Sequence, residues 1–201
     1  MSSPLAQGPR LVAIAGPSGS GKSHLAQQMA QILDDAATLV SQDDFYRDLA
    51  HLPIEAREQQ DFDVPTTIDW ATLLTTLGRL RESRAASTPR YDHATHTREP
   101  GYRIQGSKPI VIFEGLWLFH TRALGRLFDL TLYLDCPRSI RLQRRIQRDT
   151  ASRDRSPESI ETQFFGQVVP SEEKWVFPQK ECAMKCLLSP VEPSTVDQIV
   201  R

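Results

Sequence analysis

Short apolar runs alternate along this chain with stretches whose apolar residues recur every three or four positions. Leu11 to Gly16 (LVAIAG) is apolar and small or β-branched and ends on glycine, the pattern of a strand buried on both faces. A helical pattern follows from Lys22 to about Leu33. Ala37 to Ser41 (ATLVS) predicts a second strand, and Ile68 to Arg81 a helix capped at Thr67. Pro109 to Gly115 (PIVIFEG) is the clearest buried strand, Leu130 to Asp135 (LTLYLD) another, and Pro137 opens a helix running to about Thr150. Ser156-Pro157-Glu158 supplies a cap, an N1 proline and an early acid for a helix to about Val169. A further helix is expected from Glu172 to Lys180 and a last strand near Met184 to Leu188. The tail from Ser189, with two prolines, is expected to be loosely held. Strands alternating with amphipathic helices predict an α/β fold: a five-stranded, mostly parallel sheet with helices on both faces.

At 201 residues the chain suits a single domain with a substantial core. A net charge of -1 argues against a nucleic-acid polymer as the main partner, because phosphate backbones select basic surfaces. No apolar run reaches the roughly 20 residues that cross a bilayer, and the first ten residues lack a signal-peptide pattern. The expectation is a cytoplasmic protein with no membrane partner. Cys136, Cys182 and Cys186 fit reduced thiols better than a zinc site, since no companion histidine pair accompanies them.

The chemistry begins at GPSGSGKS, residues Gly16, Pro17, Ser18, Gly19, Ser20, Gly21, Lys22 and Ser23. This is a G-x-x-x-x-G-K-[ST] phosphate loop in the context the motif requires, after a strand and opening a helix. Its glycines let consecutive N–H groups turn toward phosphate oxygens, and the helix start adds a positive end. Lys22 would hold the β- and γ-phosphates of ATP, and the Ser23 hydroxyl would sit on Mg²⁺. These features predict a P-loop NTPase fold. No N-K-x-D guanine reader occurs.

Beyond the second strand, SQDDFYR offers Asp43 or Asp44 as the group beside an acceptor hydroxyl; either is equally suited to capping a turn. Glu114, ending the most hydrophobic strand, is placed to help hold Mg²⁺. On the helix after Pro137, Arg141, Arg145 and Arg148 share a face, and Arg153 and Arg155 lie beyond it in a lid expected over about 149–158. Such arginines can neutralise charge on a transferring phosphoryl group while the lid excludes water. A solvated basic face is the other reading, most of all for Arg144. The stretch PRYDHATHTR (Pro89 to Arg98) holds little that a core would want and suits the wall of a polar pocket; two histidines without a third ligand make a poor metal site.

GPSGSGKS, SQDDFYR, DFDVP, YDHATHTR, IFEG and RRIQRDTASRDR occur in the order seen in uridine kinases, and the chain resembles that group, within the uridine kinase and phosphoribulokinase family, from about Leu11 to Leu188. The resemblance implies that Asp43 takes the proton of a 5′-hydroxyl and that Asp63, with Arg145, holds ribose hydroxyls. It implies that Tyr91 and His96 reach the edge of a pyrimidine, with His93 in the same pocket and Gln163 near the nucleoside. Ser23 and Glu114 would serve Mg²⁺, Arg148, Arg153 and Arg155 would grip phosphates, and the chain would form a dimer or tetramer. Three positions depart from the family pattern: His93 stands where phenylalanine is usual, Val64 where histidine is usual, and Asp44 where serine is common. The implied activity is transfer of the ATP γ-phosphoryl group to uridine or cytidine. A different hydroxylated acceptor (another riboside, a sugar phosphate, glycerate or pantothenate) and a silent ATP-binding regulator are the alternatives.

Overall fold

The computed structural model describes residues 8–99, 103–152 and 155–201. In chain order, β1 (Arg10–Ala15) leads through the glycine-rich loop to α1 (Lys22–Ile32) and β2 (Ala37–Ser41). Then come α2 (Ile54–Glu58), α3 (Trp70–Arg81) and four short strands, β3 (Ala86–Thr88), β4 (Tyr91–Asp92), β5 (Thr97–Arg98) and β6 (Arg103–Gln105). β7 (Ile110–Gly115), α4 (Arg122–Gly125), β8 (Leu130–Asp135) and α5 (Arg138–Ser152) follow. The chain closes with α6 (Pro157–Gln163), a π-helical turn (Phe164–Val168), α7 (Val169–Trp175), a 3₁₀ segment (Phe177–Cys182), β9 (Lys185–Leu188) and α8 (Pro193–Val200).

The main sheet has the order β2-β7-β1-β8-β9, and every pairing in it is parallel. The period-2 alternation of each strand divides the core. Leu11, Ala13 and Ala15 of β1, with Val111, Phe113 and Tyr133, face Leu73, Leu77 and Leu80 of α3. Val12, Ile14, Ile112, Leu132 and Leu134 face the opposite way, against Leu25 and Met29 of α1 and Val196 of α8. A strand buried on both faces has no polar side to alternate, which is why these runs read as continuously apolar. β1 lies at the centre, so the loop leaving its carboxyl end sits where ligands bind in open parallel sheets.

Four expectations change. The α3 cap is Asp69, not Thr67: its carboxylate accepts from Thr72 N at 3.1 Å and Thr72 Oγ1 at 2.7 Å, while Thr67 belongs to a 3₁₀ turn and Ile68 bridges to Tyr46. The two helices expected around Val169 are one rod from Pro157 to Trp175. Pro170 lacks the N–H an α-helix needs, and the π turn just before it absorbs the lost bond. The tail is not loose, because α8 buries Val196 against the α1 face of the sheet. Antiparallel pairing occurs outside the main sheet, in β3–β6 and in the β4–β5 hairpin that encloses residues 93–96. Asp92 shapes that hairpin turn by accepting from Ala94 N at 2.8 Å and Thr95 Oγ1 at 2.7 Å.

Candidate active site

The glycine-rich loop wraps the carboxyl end of β1. Gly19 and Gly21 have φ of 78° and 97°, a region that L side chains rarely adopt. A Cβ on Gly19 would also meet the Arg141 carbonyl oxygen at 2.9 Å. Gly21 caps α1 with no side-chain bond, so the first amides of the helix remain available to an anion. Lys22 lies folded under this loop, its Nζ donating to the Pro17 carbonyl at 3.1 Å. Burial lowers its pKa, opposed by the negative charges of Glu114 and Asp43.

Those two acids come from neighbouring strand ends. Glu114 closes β7 and accepts from Ser41 Oγ at 2.7 Å and from the Ser23 hydroxyl. Burial raises its pKa, and the nearby Asp43 carboxylate raises it further. Asp43 follows β2 in a 3₁₀ turn that Ser41 Oγ caps by accepting the Asp43 N–H at 3.3 Å. Its neighbour Asp44 points away from the cleft toward Arg103 Nη1, 3.8 Å distant, with its pKa raised by burial. Of the two aspartates only Asp43 lines the cleft. Two mutually repelling carboxylates beside a hydroxyl form an all-oxygen donor set that suits a hard divalent cation sharing its shell with phosphates and water. No group of three His, Cys, Asp or Glu is arranged as a metal cage among the described residues.

One cleft of about 760 Å³ joins the phosphate loop to these acids and to a second wall. That wall is assembled from distant segments: Tyr46, Phe62, Asp63, His93, His96, Gln163 and Gln167. His96 stacks on Phe62 with ring centroids 4.3 Å apart and planes at 14°; its backbone φ of 53° turns the hairpin so that the ring can lie there. His93 meets Tyr46 edge-on at 5.9 Å. Tyr91 stands behind this layer, packed on Tyr46 at 5.2 Å and His93 at 5.1 Å, and does not line the cleft. Its buried hydroxyl finds no partner among the described residues, and burial raises its pKa. Asp63 has its pKa pushed up to about 6 by burial, opposed by Arg145 and reinforced by Asp61 and Glu172.

The arginines of α5 divide into two sets. Arg141 is buried against Glu172, and Arg144 Nη1 donates to the Gly19 and Ser20 carbonyls and to Ser189 Oγ, each at 3.1 Å. Both fasten the loop from behind, so Arg144 is no solvated basic residue. Arg145 Nη1 donates to Ser18 Oγ at 2.7 Å, and Arg148 Nε to Asp149 Oδ1 at 2.7 Å. Arg155 Nη1 donates to Gln163 Oε1 at 2.5 Å. Arg145, Arg148 and Arg155 line the cleft, as does part of Arg144, while Arg153 lies outside the described residues. Tyr46, Phe62 and Gln167 are cleft residues that the sequence reading did not name, although the first two sit inside motifs it quoted. Glu172 was also missed, and nothing local in the sequence marks it.

Residues 11–187 match the family model described as "Phosphoribulokinase / Uridine kinase family". A uridine kinase of Brevibacillus brevis is 34% identical over 176 residues, covering 87% of this chain and 82% of the relative. One of Chloroflexus aggregans is 35% identical, covering 87% and 84%. The chain belongs to the phosphoribulokinase/uridine kinase family. As a family member it is a phosphotransferase acting on a hydroxyl acceptor. Solved structures carry the same fold. A putative fructose transport system kinase from Silicibacter sp. TM1040 superposes with a TM-score of 0.74 at 24% identity, covering 92% of both chains. The phosphoribulokinase from Rhodobacter spheroides gives 0.64 at 17%, covering 95% of this chain and 74% of that one.

Proposed function

We propose that this protein transfers the γ-phosphoryl group of ATP to the 5′-hydroxyl of uridine or cytidine. The observation that carries the reading is the single cleft in which Asp43 faces the glycine-rich loop, with Asp63 and the Tyr46–Phe62–His93–His96 wall alongside. Loop amides and the start of α1 bind the triphosphate, and Lys22 neutralises its outer phosphates. Ser23 and Glu114 would hold Mg²⁺, which would supply positive charge against the charge developing on the phosphates. Asp43 accepts the proton of the attacking hydroxyl, Asp63 takes the ribose hydroxyls, and the aromatic wall receives the base on a stack that imidazole and phenol edges can hydrogen-bond. Arg148 and Arg155 bring positive charge to the transferring group from the lid side.

Family relatives support the acceptor, since uridine kinases are among the curated proteins that cover most of this chain. The same reading places the enzyme in the cytoplasm as a homo-oligomer; no described helix is long and apolar enough to cross a membrane. An ADP-release assay over uridine, cytidine, other ribosides, sugar phosphates, glycerate and pantothenate tests the assignment. Turnover is expected with the pyrimidine ribosides, and preference for a different acceptor would overturn it.

A further inference from the structure

The rod from Pro157 to Trp175 touches both halves of the cleft, at adjacent residues. On the acceptor side, Ser171 Oγ donates to the Asp63 carbonyl, and Gln167 Nε2 donates to Asp61 Oδ1 at 2.9 Å. The same Asp61 oxygen accepts the Asp63 N–H at 2.9 Å, so the loop that carries Asp63 is tied to the rod twice. On the phosphate side, Glu172 Oε1 accepts the Ser18 N–H at 2.8 Å. Both Glu172 oxygens also accept from Arg141 Nη1, at 2.8 and 2.7 Å. Glu172 and Arg141 are 3% and 1% exposed.

Ser18 is thereby held at every polar atom. Its N–H is taken by Glu172, its carbonyl by Arg141 Nη1 at 3.3 Å, and its hydroxyl by Arg145 Nη1 at 2.7 Å. A buried ion pair is a poor device for stability alone, because well-packed apolar residues of similar size commonly do as well or better. What apolar residues cannot do is accept a loop amide and fix a corner of the phosphate cradle. Group transfer is sensitive to that corner, since the donor phosphorus and the acceptor oxygen must be held within a fraction of an ångström of line.

We propose that Glu172 is a positioning residue for phosphoryl transfer. It is buried and does not line the cleft. It locks Ser18 of the phosphate loop to the same stretch of helix that holds the Asp63 loop, and so sets the distance between donor and acceptor. The proposal rests on the kinase reading above and extends it to a residue with no part in binding or proton transfer.

Two variants separate positioning from stability. In Arg141→Met/Glu172→Leu both charges are gone, so the melting temperature is expected to stay near that of the wild type. Turnover is nevertheless expected to fall roughly 10- to 100-fold, with KM for ATP and acceptor changing less than about threefold. Wild-type kcat in that stably folded variant would overturn the proposal. Should the double variant fail to fold, Glu172→Leu decides the matter, because leucine cannot accept the Ser18 N–H; it is assayed below its own melting temperature with kcat expressed per folded molecule, and an unchanged kcat there overturns the proposal equally. All variants are compared on whichever acceptor the wild type turns over. Failure of uridine and cytidine with the wild type would therefore count against the acceptor assignment and not against Glu172.

Discussion

The two halves of the cleft are built by opposite means. The phosphate half is made of backbone, eight consecutive residues whose shape is set by positive-φ glycines and fastened from behind by Arg141, Arg144 and Glu172. The other half, which on the proposed function receives the acceptor, is made of side chains gathered from residues 46, 62–63, 93–96 and 163–167, held by ring contacts and a few hydrogen bonds. A triphosphate offers the same oxygens to every enzyme, so a rigid local cradle serves it. Acceptors differ, and a wall drawn from separate loops can change one residue at a time without disturbing the phosphate loop.

Among changes confined to one half, the largest expected effect comes from breaking the phosphate half. Lys22→Ala removes a preorganised cation from the transferring phosphate and should lower kcat by roughly 10²–10³-fold, measured as ADP release at saturating acceptor. Next, Arg141→Met alone strands the buried Glu172 carboxylate and should cost about 3–5 kcal/mol in a denaturant titration. Substitution of His93 or His96, which are not buried in the core, should cost less stability than that.

Asp63→Asn sharpens the contrast through pH. With its pKa at about 6 against an ordinary 3.8, Asp63 holds a proton in the folded state that the unfolded chain has already released. Stability from this group is therefore full below pH 3.8, falls as pH rises to about 6, and is level above that. Asn removes the fall and should raise stability at pH 8 by at most about 3 kcal/mol, less where solvent in the open cleft screens the carboxylate. If, as proposed, Asp63 accepts from the ribose hydroxyls in its ionised form, wild-type KM for uridine should rise as pH drops through about 6, while the Asn variant shows a higher KM without that dependence. The smallest effect is His93→Phe. It replaces an imidazole edge against Tyr46 by a phenyl ring, and kcat/KM for pyrimidine nucleosides should improve severalfold, about 1 kcal/mol or less. A loss of activity there would mean that the imidazole itself contacts the acceptor.

Legibility followed the same division. The sheet could be read because its strands are buried on both faces, and β2 and β8 begin and end where their apolar runs do. The phosphate loop could be read because its geometry is local. The acceptor wall could be read only through motif resemblance, which brought Asp63, His93, His96 and Gln163 to one cleft but also proposed Tyr91, which packs one layer behind. Asp43 and Asp44 could not be told apart in the sequence; the 3₁₀ turn after β2 separates them by turning Asp44 toward Arg103. Glu172 was invisible because its partners, Ser18 and Arg141, lie 154 and 31 residues away. The helix boundary at Val169 was misplaced because proline reads as a stop, whereas a π turn accommodates it.

The most direct test of the central claim, that Asp43 bridges the two halves, is single-turnover transfer from γ-labelled ATP to uridine by wild type and Asp43→Asn, alongside ATP binding to each. Wild type should yield labelled nucleoside 5′-monophosphate. Asp43→Asn should bind ATP about as well yet transfer roughly 10²–10⁴-fold more slowly. Equal transfer rates for the two proteins would contradict the account.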